Sequence, residues 1–186
     1  MSTTEIAVLG GGCFWCLEAV YLRVRGVVAV TSGYAGDSAE RANYREVCSG
    51  RTAHVEVVKV EFDPLLLPFT SLLEVFFGLH DPTTKDRQGA DTGPQYRSVV
   101  FCQDENQAEI TRAVIRGLDD LKAFSRPIVT EVIGPPAPAF FAAEAYHQNY
   151  FDSNPDQPYC RAVVLPKVHK LERHFASLLR TDAKRS

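Results

Sequence analysis

One short stretch of the sequence, GGCFWC at residues 11–16, has residue types and spacing suited to redox chemistry. It follows the apolar run EIAVL, which predicts a strand, and it precedes apolar residues at helical spacing. Cys13 is therefore expected at the start of a helix, where unpaired backbone N–H groups and the helix dipole favour a thiolate. Phe14 and Trp15 stand beside this sulfur and would form a pocket for a small apolar group. The stretch predicts a nucleophilic Cys13 with an aromatic pocket.

Other interpretations of this stretch remain open because of its second cysteine, Cys16. With Cys13 it makes the C-x-x-C spacing of thioredoxin-like thiol–disulfide oxidoreductases. A pair of inert buried cysteines is a further alternative, which the glycines and aromatic residues argue against. A structural zinc site would need two more ligands, but the other cysteines are single, and His169 and His174 are five residues apart. We expect no metal and no other cofactor.

A buried carboxylate is predicted on the strand HVEVVKVEF, residues 54–62. Glu56 alternates with Val58, Val60 and Phe62, so it shares the apolar face that should point to the core. Burial raises the pKa of a carboxyl group, which can then serve as a general acid near neutral pH. The alternative is that Glu56 reaches solvent at the edge of the sheet. Two tyrosines in predicted loops, Tyr44 and Tyr96, are candidate hydrogen-bond donors or ordinary packing residues.

The remaining pattern predicts the elements that must position these residues. Strands are predicted over residues 5–9, 27–34, 54–62, 96–102 and 127–133, and helices over 14–24, 69–80 and 104–121, the last capped by Asp104. Residues 35–53 are predicted to form a long loop, and residues 135–167 to be mostly irregular before a terminal helix around 167–179. Because strands and helices do not alternate one for one, the fold class is α+β, with a mixed sheet and helices packed on it.

The length and composition indicate an ordinary globular protein. We expect 186 residues to form a single domain, 1–186, with residues 161–186 as a C-terminal helical extension. A net charge of −3 gives no reason to expect nucleic acid or a membrane as partner. No stretch approaches the roughly 20 apolar residues of a membrane helix, and the N-terminus lacks the features of a secretory signal. Five unevenly spaced cysteines suit a reducing compartment, so a cytoplasmic location is expected.

Five motifs in order along the chain resemble those of the peptide methionine sulfoxide reductase A family. They are GCFWC, GYAGD, YREVCSGRTAHVEVVKVEFDP, HDPTTKDRQGADTGPQYRS and HQNYFDSNPDQPYC, which together extend from about residue 6 to residue 160. The resemblance implies an enzyme that reduces the S epimer of methionine sulfoxide, free or in proteins, with thioredoxin as reductant. It also implies a two-layer α+β sandwich with a mixed, mostly antiparallel sheet and a long irregular C-terminal segment, in a protein expected to be a monomer.

The resemblance also implies a role for individual residues. Cys13 would be the nucleophile, and Phe14 and Trp15 would hold the substrate methyl group. The sulfoxide oxygen would be held and protonated by Glu56, Tyr44 and Tyr96. Two further residues, Asp91 and His147, would help to bind the substrate or support the site. The competing classes are a general thiol–disulfide oxidoreductase that uses Cys13 and Cys16, and a binding module without catalysis.

The cysteine that resolves the sulfenic acid on Cys13 is either Cys160 or Cys16. Cys160 is favoured because its PYC setting matches the position of the family's resolving cysteine and because a mobile, exposed segment is expected there. Cys16 remains the alternative because of its C-x-x-C spacing. The other two cysteines, Cys48 and Cys102, are expected to be small buried residues.

Overall fold

A six-stranded mixed sheet forms the centre of the computed structural model, which describes residues 4–181. The strands are β1 Glu5–Gly10, β2 Val27–Ala35, β3 Val55–Phe62, β4 Arg87–Gln88, β5 Asp91–Thr92, β6 Val99–Phe101, β7 Glu131–Ile133 and β8 Phe140–Ala142. The order in the large sheet is β7–β6–β1–β3–β2–β8, and β4 pairs with β5 in a separate hairpin. The β6–β7 pairing is parallel and the other pairings described in the large sheet are antiparallel. The predicted α+β class with a mostly antiparallel sheet is confirmed.

Six α-helices accompany the sheet within the described residues. They are α1 Phe14–Tyr21, α2 Tyr44–Cys48, α3 Phe69–Leu79, α4 Glu105–Asp120, α5 Tyr150–Ser153 and α6 Leu165–His174. A π-helical turn, Cys160–Val164, leads directly into α6. Asp104 caps α4 as predicted, since its side chain accepts a hydrogen bond from the backbone N–H of Gln107 at 2.7 Å.

The main core lies between one face of the sheet and the helices α1, α3 and α6. The strand β3 contributes Val58, Val60 and Phe62 to this core, whereas Val55 and Val57 belong to a smaller cluster on the opposite face. From α6, Leu171 is fully buried in the main core. Full burial of such a side chain contributes about 1.5–3 kcal/mol, so α6 helps to hold the fold together. The alternation on β3 also places Glu56 on the core side, as predicted.

Three expectations about local structure need correction. The predicted loop 35–53 contains α2, because Asn43 caps its N-terminus and Val47 is buried. The strands predicted over 96–102 and 127–133 shorten to β6 and β7, the first because a 3₁₀ turn occupies Pro94–Tyr96.

The segment predicted to be irregular also contains β8, α5, the π-helical turn and the start of α6. Of the helical extension predicted over 161–186, residues 182–186 lie outside the described part of the chain. Among residues 4–181, no helix combines the length and apolar character needed to cross a bilayer.

Candidate active site

The position of Cys13 follows from the glycine turn between β1 and α1. Gly12 has φ of +95°, and a Cβ atom on this residue would lie 2.6 Å from the side chain of Gln88, so only glycine fits. The chain then enters α1 with Cys13 at the N-cap, and its carbonyl oxygen accepts a bond from Cys16 N at 3.1 Å. The predicted order of strand, glycine turn and helix is confirmed, and it directs Cys13 toward a cavity.

This cavity has a volume of about 260 Å³ and is walled by residues from several distant parts of the chain. Nine residues line it: Cys13, Phe14, Trp15, Tyr44, Glu56, Asp91, Tyr96, Gln157 and Tyr159. Seven of them are candidates from the sequence. The other three candidates, Cys16, His147 and Cys160, do not line the cavity. A larger cavity of about 530 Å³, between Asp119 and Pro127, has no cysteine in its walls.

Glu56 is the buried acid of the cavity, with 2% of its surface exposed. It lies on β3 opposite Tyr34 of β2, and its Oε2 accepts a hydrogen bond from Phe14 N at 3.1 Å. Burial raises the pKa of Glu56 to about 8, although the bond from Phe14 N acts in the opposite direction. Glu56 is therefore mostly protonated at neutral pH, and its proton is available to a ligand beside Cys13.

The thiols of Cys13 and Cys16 are hydrogen-bonded to each other. The bond from Cys13 lowers the pKa of Cys16 to about 7, against the effect of burial. The pKa of Cys13 is raised above its ordinary value, first by burial, then by the bond to Cys16 and by the charge of ionised Glu56. A bond from Trp15 N lowers it but is outweighed. The helix N-terminus was expected to favour a thiolate on Cys13, but desolvation of the sulfur is the larger effect and raises its pKa instead.

An aromatic wall stands beside Cys13 and is supported from behind. Trp15 stacks on Tyr150 with ring centroids 3.8 Å apart and planes 5° apart. Its Nε1–H donates to His147 Nδ1 at 3.1 Å, and the Phe14 ring lies 5.1 Å from the His147 ring. His147 is 1% exposed, and burial lowers its pKa, so it is a neutral acceptor. His147 thus lies behind the two aromatic rings that line the cavity.

The hydroxyl and carboxyl groups on the remaining walls come from α2, β5 and the turn that follows it. Glu144 holds α2 in place, since its Oε1 accepts from Tyr44 N and its Oε2 from the Tyr34 hydroxyl, both at 2.8 Å. Burial raises the pKa of both Tyr44 and Tyr96, so both phenols keep their protons. Tyr159, which precedes the π-helical turn, also lines the cavity, and its hydroxyl donates to Asp91 Oδ2 at 2.6 Å.

The structure contradicts the expected setting of Cys160. This residue is fully buried at the start of the π-helical turn, and its backbone N–H donates to Gln157 Oε1 at 3.1 Å. Burial raises the pKa of Cys160, and charge on Cys16 raises it further, which places Cys160 near Cys16. The expectation of an exposed, irregular segment was wrong because residues 160–174 continue as one helical stretch.

The other two cysteines differ from each other. Cys102 is fully buried as expected, whereas Cys48 is half-buried at the end of α2 and hydrogen-bonded to Tyr44. Among residues 4–181 no group of three or more His, Cys, Asp or Glu side chains is arranged to hold a metal ion.

Sequence reasoning missed three groups that shape the site. Tyr159 and Gln157 line the cavity, and Tyr150 supports Trp15. Tyr150 and Tyr159 could have been predicted, because they lie in a turn-rich segment. The same argument selected Tyr44 and Tyr96 as candidates. No signal in the sequence distinguished Gln157 from the other polar residues of this segment.

Comparisons with known proteins agree with this geometry. The family model described as peptide methionine sulfoxide reductase matches residues 5–179. The chain is 54% identical over 178 residues to the peptide methionine sulfoxide reductase MsrA of Ralstonia nicotianae, covering 94% of this chain and 93% of that protein.

Two solved structures share the fold at moderate identity. Methionine sulfoxide reductase A of Corynebacterium diphtheriae has a TM-score of 0.77 at 36% identity, covering 83% of this chain and 77% of that one. Reduced Mxr1 from Saccharomyces cerevisiae has a TM-score of 0.76 at 32% identity, covering 84% and 89%. By its sequence, its fold and the arrangement of its cavity, this chain belongs to the peptide methionine sulfoxide reductase family.

Proposed function

We propose that this protein reduces the S epimer of methionine sulfoxide, free or in polypeptides, by attack of Cys13 on the sulfoxide sulfur. The observation that carries this proposal is that the Cys13 thiol and the protonated Glu56 line one small cavity beside Phe14 and Trp15. A sulfoxide sulfur is a poor electrophile until its oxygen is protonated. A nucleophile and a neutral acid are therefore needed in the same site. The preference for the S epimer is proposed from the resemblance to the family.

In the chemical step, the thiolate of Cys13 attacks the sulfur while Glu56 gives its proton to the oxygen. As the S–O bond of the substrate breaks, the oxygen passes as hydroxyl to the Cys13 sulfur and the transient bond between the two sulfurs breaks, so methionine leaves and Cys13 becomes a sulfenic acid. The substrate is reduced by two electrons and Cys13 is oxidised by two. Phe14 and Trp15 pack against the methyl group, while Tyr44 and Tyr96 hold the oxygen, with Asp91 and His147 keeping the walls in position.

The thiolate arises from the pair of thiols rather than from Cys13 alone. The Cys13–Cys16 pair loses its first proton at a pKa of about 7. Transfer of the remaining proton from Cys13 to Cys16 places the charge on Cys13, where the backbone N–H of Trp15 stabilises it. The pKa of Glu56 is about 8, so this carboxyl group is mostly neutral at lower pH and does not repel the thiolate charge. Acid and nucleophile can therefore coexist between about pH 7 and pH 8.

Cys16 is the better placed of the two resolving candidates in this structure. Its thiol contacts that of Cys13, and condensation of Cys16 with the sulfenic acid would give a disulfide and one water. Cys160 is buried in a helical turn and would have to leave it to reach Cys13. An external dithiol then reduces the disulfide by exchange, and thioredoxin is the reductant that the family resemblance implies.

The same proposal covers the setting in which the enzyme works. The cavity is complete within one chain, which supports a monomer. The five cysteines are all free, which supports a reducing compartment such as the cytoplasm. The contribution of α6 to the main core supports a single domain.

The first experiment is single-turnover reduction of resolved S and R epimers of a methionine sulfoxide dipeptide. We expect one methionine per enzyme from the S epimer without added reductant, and none from Cys13→Ser. Cys102→Ser is the matched control, since Cys102 is buried away from the cavity and should retain full activity. If neither epimer yields methionine while insulin disulfides are reduced, the protein is a thiol–disulfide oxidoreductase instead.

Mass mapping of the oxidised product tests the resolving cysteine. We expect a disulfide between Cys13 and Cys16 after one turnover in the absence of reductant. Cys16→Ser should accumulate the sulfenic acid, which a dimedone adduct detects. A Cys13–Cys160 disulfide in the wild-type protein would return the resolving role to Cys160.

A further inference from the structure

The cavity beside Cys13 is too small to enclose several residues of a polypeptide substrate. Its volume of about 260 Å³ lies below the roughly 300–1,000 Å³ typical of pockets that enclose a whole small-molecule ligand. When the sulfoxide belongs to a polypeptide, the residues on either side of it must therefore lie outside, against the rim of the cavity. The composition of that rim then affects which polypeptides bind well.

Two exposed aromatic side chains contact one buried residue behind the cavity wall. Within residues 4–181, the aromatic side chains exposed by more than a third are Tyr44 at 37% and Tyr146 at 61%. Both contact the same buried residue, His147, with ring centroids 4.7 Å away for Tyr44 and 4.2 Å away for Tyr146. Tyr44 also lines the cavity, so it marks the mouth. We call Tyr44 and Tyr146 the aromatic ledge.

Tyr146 is presented to solvent by a fixed backbone. It occupies the centre of the 3₁₀ turn Ala145–His147, which is closed by a bond from His147 N to the Glu144 carbonyl oxygen at 2.9 Å. It is close enough to Glu144 and Cys48 for their charges to act on it, and Cys48 belongs to α2, as Tyr44 does. A rigid aromatic ring loses little conformational freedom when it binds a ligand, so it is a suitable contact for a passing chain.

We propose that the aromatic ledge binds an apolar or aromatic side chain adjacent to the oxidised methionine in polypeptide substrates. Tyr146 is then a specificity-determining residue and takes no part in the chemical step. The inference rests on the proposed function, because it assumes that the sulfoxide occupies the cavity beside Cys13. It predicts a preference among polypeptides that free methionine sulfoxide cannot reveal.

The test compares three substrates with the S sulfoxide: N-acetylmethionine sulfoxide, a blocked tripeptide with glycine on both sides, and a blocked tripeptide with phenylalanine on both sides. We expect the wild-type enzyme to have its highest kcat/KM for the phenylalanine-flanked peptide. Tyr146→Ala should lower that value by about fivefold, the size of one aromatic contact, and leave the other two within twofold. Tyr146→Phe should behave as wild type. Leu121→Ala is the control, since Leu121 is an exposed apolar residue away from the cavity.

Each outcome of this test decides the inference. An equal loss for all three substrates would overturn it, because Tyr146 would then act only by supporting His147. No loss for the phenylalanine-flanked peptide would overturn it as well, while leaving the proposed function intact. If the wild-type enzyme reduced none of the three substrates, the proposed function would fail, and the inference with it.

Discussion

Replacing Glu56 with glutamine removes the buried acid beside Cys13 while keeping its shape and an acceptor for Phe14 N. In the folded protein the pKa of Glu56 is raised by burial to about 8, from an ordinary value of 4.5. An acid whose pKa is raised on folding binds more protons in the folded state, so it destabilises that state as the pH rises from 4.5 to 8. The difference between these two pKa values corresponds to a destabilisation of the folded state by about 5 kcal/mol at most.

The stability of Glu56→Gln relative to wild type should therefore depend on pH. We expect the difference in the free energy of unfolding to shift in favour of the variant by several kcal/mol between pH 4.5 and pH 8.5. Urea unfolding of both proteins, followed by tryptophan fluorescence at matched ionic strength, measures this difference. Glu61→Gln is a suitable control, because Glu61 lies on the same strand but reaches solvent.

The activity of the same variant tests whether the proton of Glu56 is used in the reaction. With a pKa of about 8, about 90% of Glu56 is protonated at pH 7 and about 10% at pH 9. The wild-type kcat/KM should therefore fall above pH 8, and Glu56→Gln should lose about 10²- to 10⁴-fold of activity at pH 7 together with this alkaline limb. A stability difference that stays constant with pH, or a variant with full activity, would refute the reasoning.

Variants at three further positions test the rest of the site and its support. Cys16→Ser removes the partner thiol, so the acidic limb of the pH profile, near pH 7 in wild type, should move to higher pH; an unmoved limb would assign the pKa of about 7 to another group. His147→Ala should lower kcat/KM by about tenfold by releasing Trp15, and His147→Gln, which offers another acceptor, should restore part of it; equal losses in both would mean that the bond is unimportant. Leu171→Ala should lower the free energy of unfolding by about 2–5 kcal/mol in urea titration, and a loss below 1 kcal/mol would mean that α6 is not part of the core.

Much of this protein was determined by local sequence pattern. The order of strand, glycine turn and helix around Cys13 follows from short-range rules, and the structure confirms it. The burial of Glu56 was equally predictable, because side chains alternate between the two faces of a strand, and its neighbours at every second position are apolar. The position of α2 was hidden because this short helix is held by one cap, one buried valine and a hydrogen bond to Glu144, which is distant in sequence.

Only the tertiary structure decided how these local pieces act on one another. The pairing of β3 with β2, the contact of α1 with residues near 147–159 and the hairpin of β4 and β5 bring nine residues around one cavity. Whether Cys13 is a thiolate depends on desolvation and on the thiol of Cys16, and those are properties of packing that a helix N-terminus cannot reveal. The burial of Cys160 likewise follows from the docking of α6 on the core. Sequence specifies which chemical groups are present, but the energies of buried charges depend on distances between distant segments, which only the folded chain sets.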